Sequence, residues 1–216
     1  SWNADFDELT PLVTIQVGFG SNIDLATFRR NPLNLCLVLD RSGSMNEDFD
    51  VRTRTTKLDA VRIAIDRLLA SLTAQDRVSV VTFAEQPTTL LEPVLGNDIA
   101  AVKSALEGLT PQGATDIASG MVRGYQVLQS NHDDDRSDRI MVFTDANVTA
   151  GISSSDDFLA VMQTYADNDI GATLVGVGVD FGQQLAYDIS QVRGGNFVYL
   201  DEYDRILQVF DEEFDF

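Results

Sequence analysis

The sequence is poor in cysteine and in positive charge. Its one cysteine, Cys36, lies within an apolar run, so no disulfide can form inside the chain and we expect a buried side chain there. Only 15 Lys and Arg residues stand against 34 Asp and Glu residues, which gives a formal net charge of −19. Nucleic-acid binding needs a dense basic stripe, and the few adjacent basic residues do not form one. We therefore expect no binding to nucleic acid and no attraction to anionic membranes.

The sequence also lacks a long, pure apolar run and a charged leader followed by an apolar segment. These absences predict a soluble domain without direct membrane insertion. The chain opens on Ser-Trp-Asn without an initiator Met, as a piece of a longer precursor would. Its 216 residues suffice for one α/β domain, which we expect over residues 33–216. Residues 1–32 are expected to form an N-terminal extension with an extra strand at Leu12–Phe19, which is either an added edge strand or a remnant of a preceding domain.

Apolar runs of strand length alternate with segments of helical periodicity. The clearest predicted strands are Leu33–Leu39, Arg77–Phe83, Arg139–Thr144, Thr173–Val177 and Asn196–Leu200. Apolar residues from Leu58 to Leu72 recur at helical spacing and predict a crossover helix between the first two strands. This alternation predicts an α/β fold with a doubly wound, mostly parallel central sheet and helices on both faces.

The remaining elements follow from turn and cap signals. Thr88–Leu95 is predicted as an antiparallel edge strand, because the link Ala84–Pro87 is too short for a crossover. The other predicted helices are Asp116–Gln129, Ser155–Asn168, one over about 182–191, and one from Asp201 toward Phe210. Thr115 is placed as a cap for the first of these. Two polar loops, Asn46–Thr56 and Asn131–Asp138, are expected at opposite poles of the sheet.

Small hydroxyl residues follow the first strand directly. The strand ends on Asp40, and the turn after it carries Ser42, Gly43 and Ser44. Ligands of open α/β sheets bind at the carboxyl ends of the strands, and Gly43 gives the turn the backbone freedom it needs. Because Ser42 and Ser44 are two residues apart, both hydroxyls can be directed toward one point beside Asp40.

A second strand ends in the same way, on Thr144 and Asp145, and Thr115 offers another hydroxyl at a helix start. If the two strands are neighbours, five side chains surround a hard cation, those of Asp40, Ser42, Ser44, Thr115 and Asp145. Oxygen ligands without His or Cys favour Mg²⁺, with Ca²⁺ or Mn²⁺ as alternatives, over zinc or copper. Each feature alone is more often structural, as a turn or a helix cap, and only their joint occurrence favours an ion site.

These segments together are similar to the metal-ion-dependent adhesion site of von Willebrand factor type A domains. The flanking runs Asp76–Phe83 and Gly113–Ile117 resemble the bacterial and inter-α-inhibitor-like branch of that family. The resemblance implies a Rossmann-like fold and one divalent cation held by Asp40, Ser42, Ser44, Thr115 and Asp145. The three hydroxyls would bind directly and the carboxylates partly through water, while an Asp or Glu of a partner protein fills the last position. It also implies that binding can shift the last helix, about 203–210.

One position departs from the family pattern, because Ala146 stands where a glycine usually follows the second aspartate. This substitution puts the turn after Asp145 in doubt. Polar and aromatic residues around the site are candidate partner contacts, with a solvated connection as the equal alternative for the charged loop and a core position as the favoured alternative for Phe181. These are Asn46, Glu47, Asp48, Asp50, Arg52, Arg54, Gln112, Asn147, Asp180 and Phe181. The loop that contains His132 is interpreted as a hydrated acidic loop, with a second ion site as the weaker alternative.

Enzyme mechanisms lack their required residues. A phosphatase that uses Asp40 as nucleophile would need a second carboxylate at the position of Ser42, and a serine hydrolase would need a Gly-x-Ser-x-Gly turn and a nearby histidine. No nucleotide-binding Gly-x-x-x-x-Gly-Lys loop is present. We therefore expect a non-catalytic, monomeric adhesion or recognition module, extracellular, cell-surface or periplasmic in preference to cytoplasmic. An intracellular assembly subunit that works with a ring-forming ATPase is the alternative, and a purely structural domain is a third.

Overall fold

The computed structural model describes residues 30–50, 54–145, 155–178, 183–201 and 206. Within them the strands are β1 (Leu33–Asp40), β2 (Asp48–Asp50), β3 (Thr55–Thr56), β4 (Arg77–Phe83), β5 (Thr88–Leu95), β6 (Ser137–Thr144), β7 (Gly171–Val177) and β8 (Gly195–Leu200). The α-helices are α1 (Lys57–Ser71), α2 (Ile99–Glu107), α3 (Ile117–Ser130), α4 (Ser155–Ala166) and α5 (Gln183–Gln191). A short 3₁₀ helix, Gly43–Asn46, follows β1. No helix in this part of the chain has the length and apolar character needed to cross a bilayer.

Six strands form one sheet in the order β5-β4-β1-β6-β7-β8, and only β5 runs antiparallel to its neighbour. The predicted α/β architecture, with its mostly parallel sheet and antiparallel edge strand, is confirmed. The chain leaves β1 toward β4 on one side and leaves β6 toward β7 on the other. Strands β1 and β6 pair with each other, and Leu39 lies opposite Phe143 near their carboxyl ends. These ends therefore lie at the topological switch point of the sheet.

The central strand β1 is buried along all eight residues, so its alternating side chains serve two cores. Leu35, Leu37 and Leu39 belong to the cluster that α1 covers. Cys36 and Val38 belong to the cluster that α3 covers. Burial raises the pKa of the Cys36 thiol to about 12, which agrees with a packing role for this residue.

Helix α3 approaches the sheet closely because two of its positions carry no side chain. A Cβ atom at Gly124 would lie 2.5 Å from Val38 Cγ2, and one at Gly120 would lie 2.6 Å from the Phe83 ring. We expect Gly124→Ala to lower the free energy of unfolding by about 1–3 kcal/mol, as overpacking does in other cores. Gly108→Ala is the matched control, since a Cβ there meets nothing within 4 Å. Urea unfolding measures both, and equal stability of the two variants would contradict the close packing.

Some elements differ from the sequence predictions. Asp116, and not Thr115, caps α3, because the Asp116 carboxylate accepts a hydrogen bond from Ser119 N at 3.0 Å. Helix α2 was not predicted, and the polar loop Asn46–Thr56 contains the small antiparallel pair β2–β3. The predicted strand Leu12–Phe19 and the turn at Ala146 lie outside the described residues, as does the predicted last helix except the exposed Asp201, which is not helical, and the buried Ile206. The domain boundary after residue 32 stays a prediction.

Candidate metal centre

Asp40 is held rigidly at the end of β1. It is fully buried, its Oδ1 accepts a hydrogen bond from Ser42 N at 2.8 Å, and its Oδ2 accepts one from Thr144 Oγ1 at 2.6 Å. Burial raises the pKa of the Asp40 carboxyl above its ordinary value, and the hydrogen bonds from Thr144 and Ser42 oppose that shift. Among the described residues, no cationic side chain offsets the burial of this carboxylate.

The two serine hydroxyls lie together beside the second carboxylate. Ser42 Oγ is 3.2 Å from Ser44 Oγ, and Ser44 Oγ donates to Asp145 Oδ1 at 2.9 Å. The short 3₁₀ helix turns the chain directly after β1, which places both hydroxyls on one side of the turn. Residues that are separated by a hundred positions thus form one connected group of oxygens.

The loop before α3 is fastened to this turn through its backbone. Gly43 N donates to Gly113 O at 3.1 Å, and Gln112 N donates to Arg41 O at 2.7 Å. Gly113 has φ +83°, a left-handed conformation that glycine adopts without strain. Thr115 follows, half-buried, and its hydroxyl makes no hydrogen bond to any residue of the described ranges. Since Asp116 takes the cap position, the Thr115 hydroxyl remains available to a ligand.

A lysine also belongs to the centre, and the sequence analysis missed it. Lys57 Nζ donates to Asp145 Oδ2 at 2.8 Å and to Glu47 Oε2 at 2.6 Å. Burial lowers the pKa of the Lys57 ammonium, but the hydrogen bonds and charges of Asp145 and Glu47 outweigh it, so the pKa is raised overall. A signal was present in the sequence: Lys57 is the first residue of a helix, where the dipole disfavours a cation unless an anion lies nearby.

Thr144 is the other contributor that was missed. Its hydroxyl donates to Asp40 and so joins the end of β6 to the end of β1. The signal here was its place next to Asp145 at a strand end, where a hydroxyl can reach the neighbouring strand.

The donor set suits a hard cation. Hydrogen bonds bring together two carboxylates, Asp40 and Asp145, with the hydroxyls of Ser42 and Ser44, and oxygen ligands of this kind are those of Mg²⁺, Mn²⁺ and Ca²⁺. The place of the Thr115 hydroxyl in this set stays a prediction. Among the described residues, no group of three or more His, Cys, Asp or Glu side chains is arranged to hold a metal ion. Any ion at this centre would therefore have to bind hydroxyl oxygens in addition to the carboxylates.

The surroundings agree only partly with the expected partner contacts. Asn46, Glu47 and Asp48 are exposed beside the centre, as is Gln112. Asp50 is only 8% exposed, so little of it is accessible for the predicted partner contact. Arg54 is exposed as well, and the remaining predicted contacts, Arg52, Asn147, Asp180 and Phe181, lie outside the described residues.

His132 lies at the opposite pole of the sheet, before β6. Its Nδ1 is 2.5 Å from Asp138 Oδ2, and its Nε2 is 3.1 Å from Asp134 Oδ1. The hydrogen bond with Asp138, the charge of Asp138 and the contact with Asp134 raise the pKa of His132 above its ordinary value of 6.5. The loop is thus organised by ion pairs.

This pairing predicts a pH dependence. Because the folded-state pKa of His132 is raised, its stabilising contribution is complete below the unfolded-state pKa of 6.5 and is lost as the pH rises through the folded-state value. We expect His132→Gln to be less stable than the wild type at pH 5.5 and equally stable at pH 9. Urea unfolding at the two pH values measures the difference. A constant difference between the two proteins would contradict the assigned pairing.

The chain is similar in sequence and in fold to known proteins. A family model described as the von Willebrand factor type A domain matches residues 35–147, about half of the chain. The protein sll0103 of Synechocystis sp. is 30% identical over 186 residues, which cover 86% of this chain and 42% of that protein. Inter-alpha-trypsin inhibitor heavy chain H4 of Bos taurus is 24% identical over 172 residues, which cover 76% of this chain and 18% of that protein.

The chain thus spans less than half the length of these curated relatives. Among solved structures, the pilus adhesin SpaC from Lactobacillus rhamnosus GG matches with a TM-score of 0.67 at 15% identity. The match covers 86% of this chain and 30% of the adhesin. At that level of identity the likeness concerns the fold.

Proposed function

The chain belongs to the von Willebrand factor type A family, and from that premise we propose that it is a non-catalytic protein-binding module that works through a divalent cation. Asp40, Ser42, Ser44, Thr115 and Asp145 would hold the cation, with Mg²⁺ as the first candidate. An Asp or Glu side chain of a partner protein would complete the shell. The similarity to sll0103 and to the inhibitor heavy chain supports a place in the bacterial and inter-α-inhibitor-like branch.

The observation that carries the proposal is the hydrogen-bonded group of oxygens at the switch point. Asp40 binds Thr144, Ser42 Oγ lies 3.2 Å from Ser44 Oγ, and Ser44 binds Asp145, so β1, its turn and β6 are already joined around one place. Such an arrangement supports an ion site because the ligands need little rearrangement before they bind.

Each residue then has a defined task. Asp40, fixed at both oxygens, would place its carboxyl group beside the serines, and it orients Ser42 through the backbone N–H. Ser44 holds Asp145 Oδ1 in place, and the backbone bond from Gly43 to Gly113 ties the segment that carries Thr115 to the turn. A cation bound there supplies a positive charge that attracts a carboxylate.

The overall charge makes the cation necessary for an acidic partner. A chain of net charge −19 repels a partner carboxylate at long range, and that repulsion is strongest at low ionic strength. Partner binding should therefore depend strictly on the metal. The similarity of the fold to a pilus adhesin supports recognition of another macromolecule as the role.

The open coordination position can be tested with Mn²⁺ and acetate, the simplest carboxylate. Bound Mn²⁺ accelerates the relaxation of water protons that exchange through its shell. We expect the wild type to show this enhancement and acetate to reduce it in a saturable manner. An enhancement that acetate leaves unchanged would contradict capture of a partner carboxylate. Thr164→Ala, on α4, serves as the control for nonspecific effects of substitution.

Thr115→Ala should weaken the site without harming the fold. Loss of one ligand or its orientation typically lowers metal affinity about 10- to 100-fold. Its hydroxyl makes no hydrogen bond to the described residues, so urea unfolding of the metal-free variant should match the wild type. Calorimetric titration with Mg²⁺ gives the affinity. An unchanged affinity would remove Thr115 from the ligand set.

A further inference from the structure

Lys57 introduces a positive charge into the centre where a divalent cation would bind. Its side chain is 9% exposed, whereas that of Asp145, its inner partner, is 2% exposed. The outer partner, Glu47, is 67% exposed and lies at the rim. The ammonium is therefore positioned between one buried and one exposed carboxylate.

The stem of Lys57 is held by packing as well as by charge. A Cβ atom at Gly178, just after β7, would lie 3.4 Å from Lys57 Cε and 3.6 Å from the Phe49 ring. The backbone N–H of Lys57 also donates to Glu47 O at 3.0 Å. Both the backbone and the side chain of Lys57, the first residue of α1, are therefore held where the ammonium contacts Asp145.

The two oxygens of Asp145 are divided between different partners. Oδ1 accepts from Ser44, which belongs to the oxygen group, while Oδ2 accepts from Lys57. A divalent cation and the ammonium would share this carboxylate and repel each other, and burial leaves little water to screen that repulsion. Loss of the ammonium should still leave Asp145 in position, because Ser44 holds Oδ1.

We propose that Lys57 is a built-in competitor of the divalent cation, one that neutralises Asp145 in the metal-free domain and limits the affinity of the metal-bound one. The proposal rests on the metal-binding function proposed above. The centre then stays folded when no metal is bound, and it releases a bound metal ion readily. When both cations are present, the added positive charge of Lys57 strengthens the attraction for a carboxylate partner.

Competition predicts opposite effects on two properties of one variant. Lys57→Met should lower the stability of the metal-free domain, because Asp145 loses its buried partner, and should raise the affinity for Mn²⁺ at least about tenfold, because the repulsion is gone. A merely structural lysine would lower the stability and leave the affinity equal or weaker. Glu47→Gln should have the reverse effect on affinity, since it removes an anion that offsets Lys57.

The experiment is calorimetric titration of Mn²⁺ into chelator-treated protein, combined with urea unfolding in chelator. Lys57→Arg keeps the charge and should bind Mn²⁺ like the wild type. Lys103→Met is the matched control, because it removes one cation from an exposed pair with Asp66 between α1 and α2. Lys57→Gln is neutral and retains a hydrogen-bond donor for Asp145. If Lys57→Met does not fold, the Mn²⁺ affinity of Lys57→Gln is compared with that of the wild type instead.

The outcomes separate this inference from the proposed function. Tighter binding by the neutral variants than by the wild type supports competition, including the case in which only the neutral variants bind. Equal or weaker binding overturns the inference and leaves the proposed function standing. Absence of binding in the wild type and in both neutral variants overturns both.

Discussion

Replacing Asp145 by alanine is expected to abolish divalent-cation binding and to lower the free energy of unfolding of the metal-free domain by about 3 kcal/mol. The variant removes a buried carboxylate, so the ammonium of Lys57 and the hydroxyl of Ser44 lose a partner. This loss of stability is at the lower end of the range for a broken buried ion pair, because Glu47 still neutralises Lys57 from the rim. Calorimetry measures the binding and urea unfolding the stability.

A second substitution separates the two effects. In Asp145→Ala combined with Lys57→Met, no buried charge is left without its partner and only the exposed Glu47 loses one, so much of the lost stability should return while metal binding stays absent. A single variant that is as stable as the wild type would contradict the buried pair. A double variant that is less stable than the single one would show that Lys57 stabilises the fold through other contacts.

Asp40→Asn is expected to abolish metal binding while leaving the metal-free domain as stable as the wild type or more stable. Burial raises the pKa of Asp40, so at neutral pH its charge destabilises the folded state relative to the unfolded one. Asparagine removes the charge, keeps an acceptor for Ser42 N and can donate to the Thr144 hydroxyl. The wild type should gain about 2.7 kcal/mol at a metal concentration of 100 Kd, and the variant should gain nothing.

Thermal unfolding with and without Mg²⁺ measures this gain. Asp98→Asn is the matched control, since Asp98 caps α2 and lies outside the centre. An Asp40→Asn variant that Mg²⁺ stabilises as strongly as the wild type would place the ion elsewhere.

The positions of Asp40 and Asp145 could be predicted because two buried runs each end on a carboxylate. Parallel strands bring their carboxyl ends to one edge, so neighbouring strands are enough to bring the two aspartates together. The serines follow from the local turn. For these residues, the local sequence pattern and the sheet topology predict the same location.

Other features depend on contacts that the local sequence does not encode. Thr115 and Asp116 are both good helix caps, and the choice between them is made by the backbone bond from Asp116 N to Ala84 O. Lys57 pairs with an aspartate 88 residues away, so its role follows only from the tertiary fold, which brings the start of α1 to the residue after β6. Helix α2 is short and follows an edge strand, where its apolar positions Val102 and Leu106 form too brief a pattern to indicate a helix.

Titration of Mg²⁺ into chelator-treated wild type and into Asp40→Asn, followed by calorimetry, tests most directly whether this chain has an ion centre. We predict one saturable site in the wild type and none in the variant. No binding to the wild type, or equal binding to both proteins, would contradict a metal centre at the switch point of the sheet.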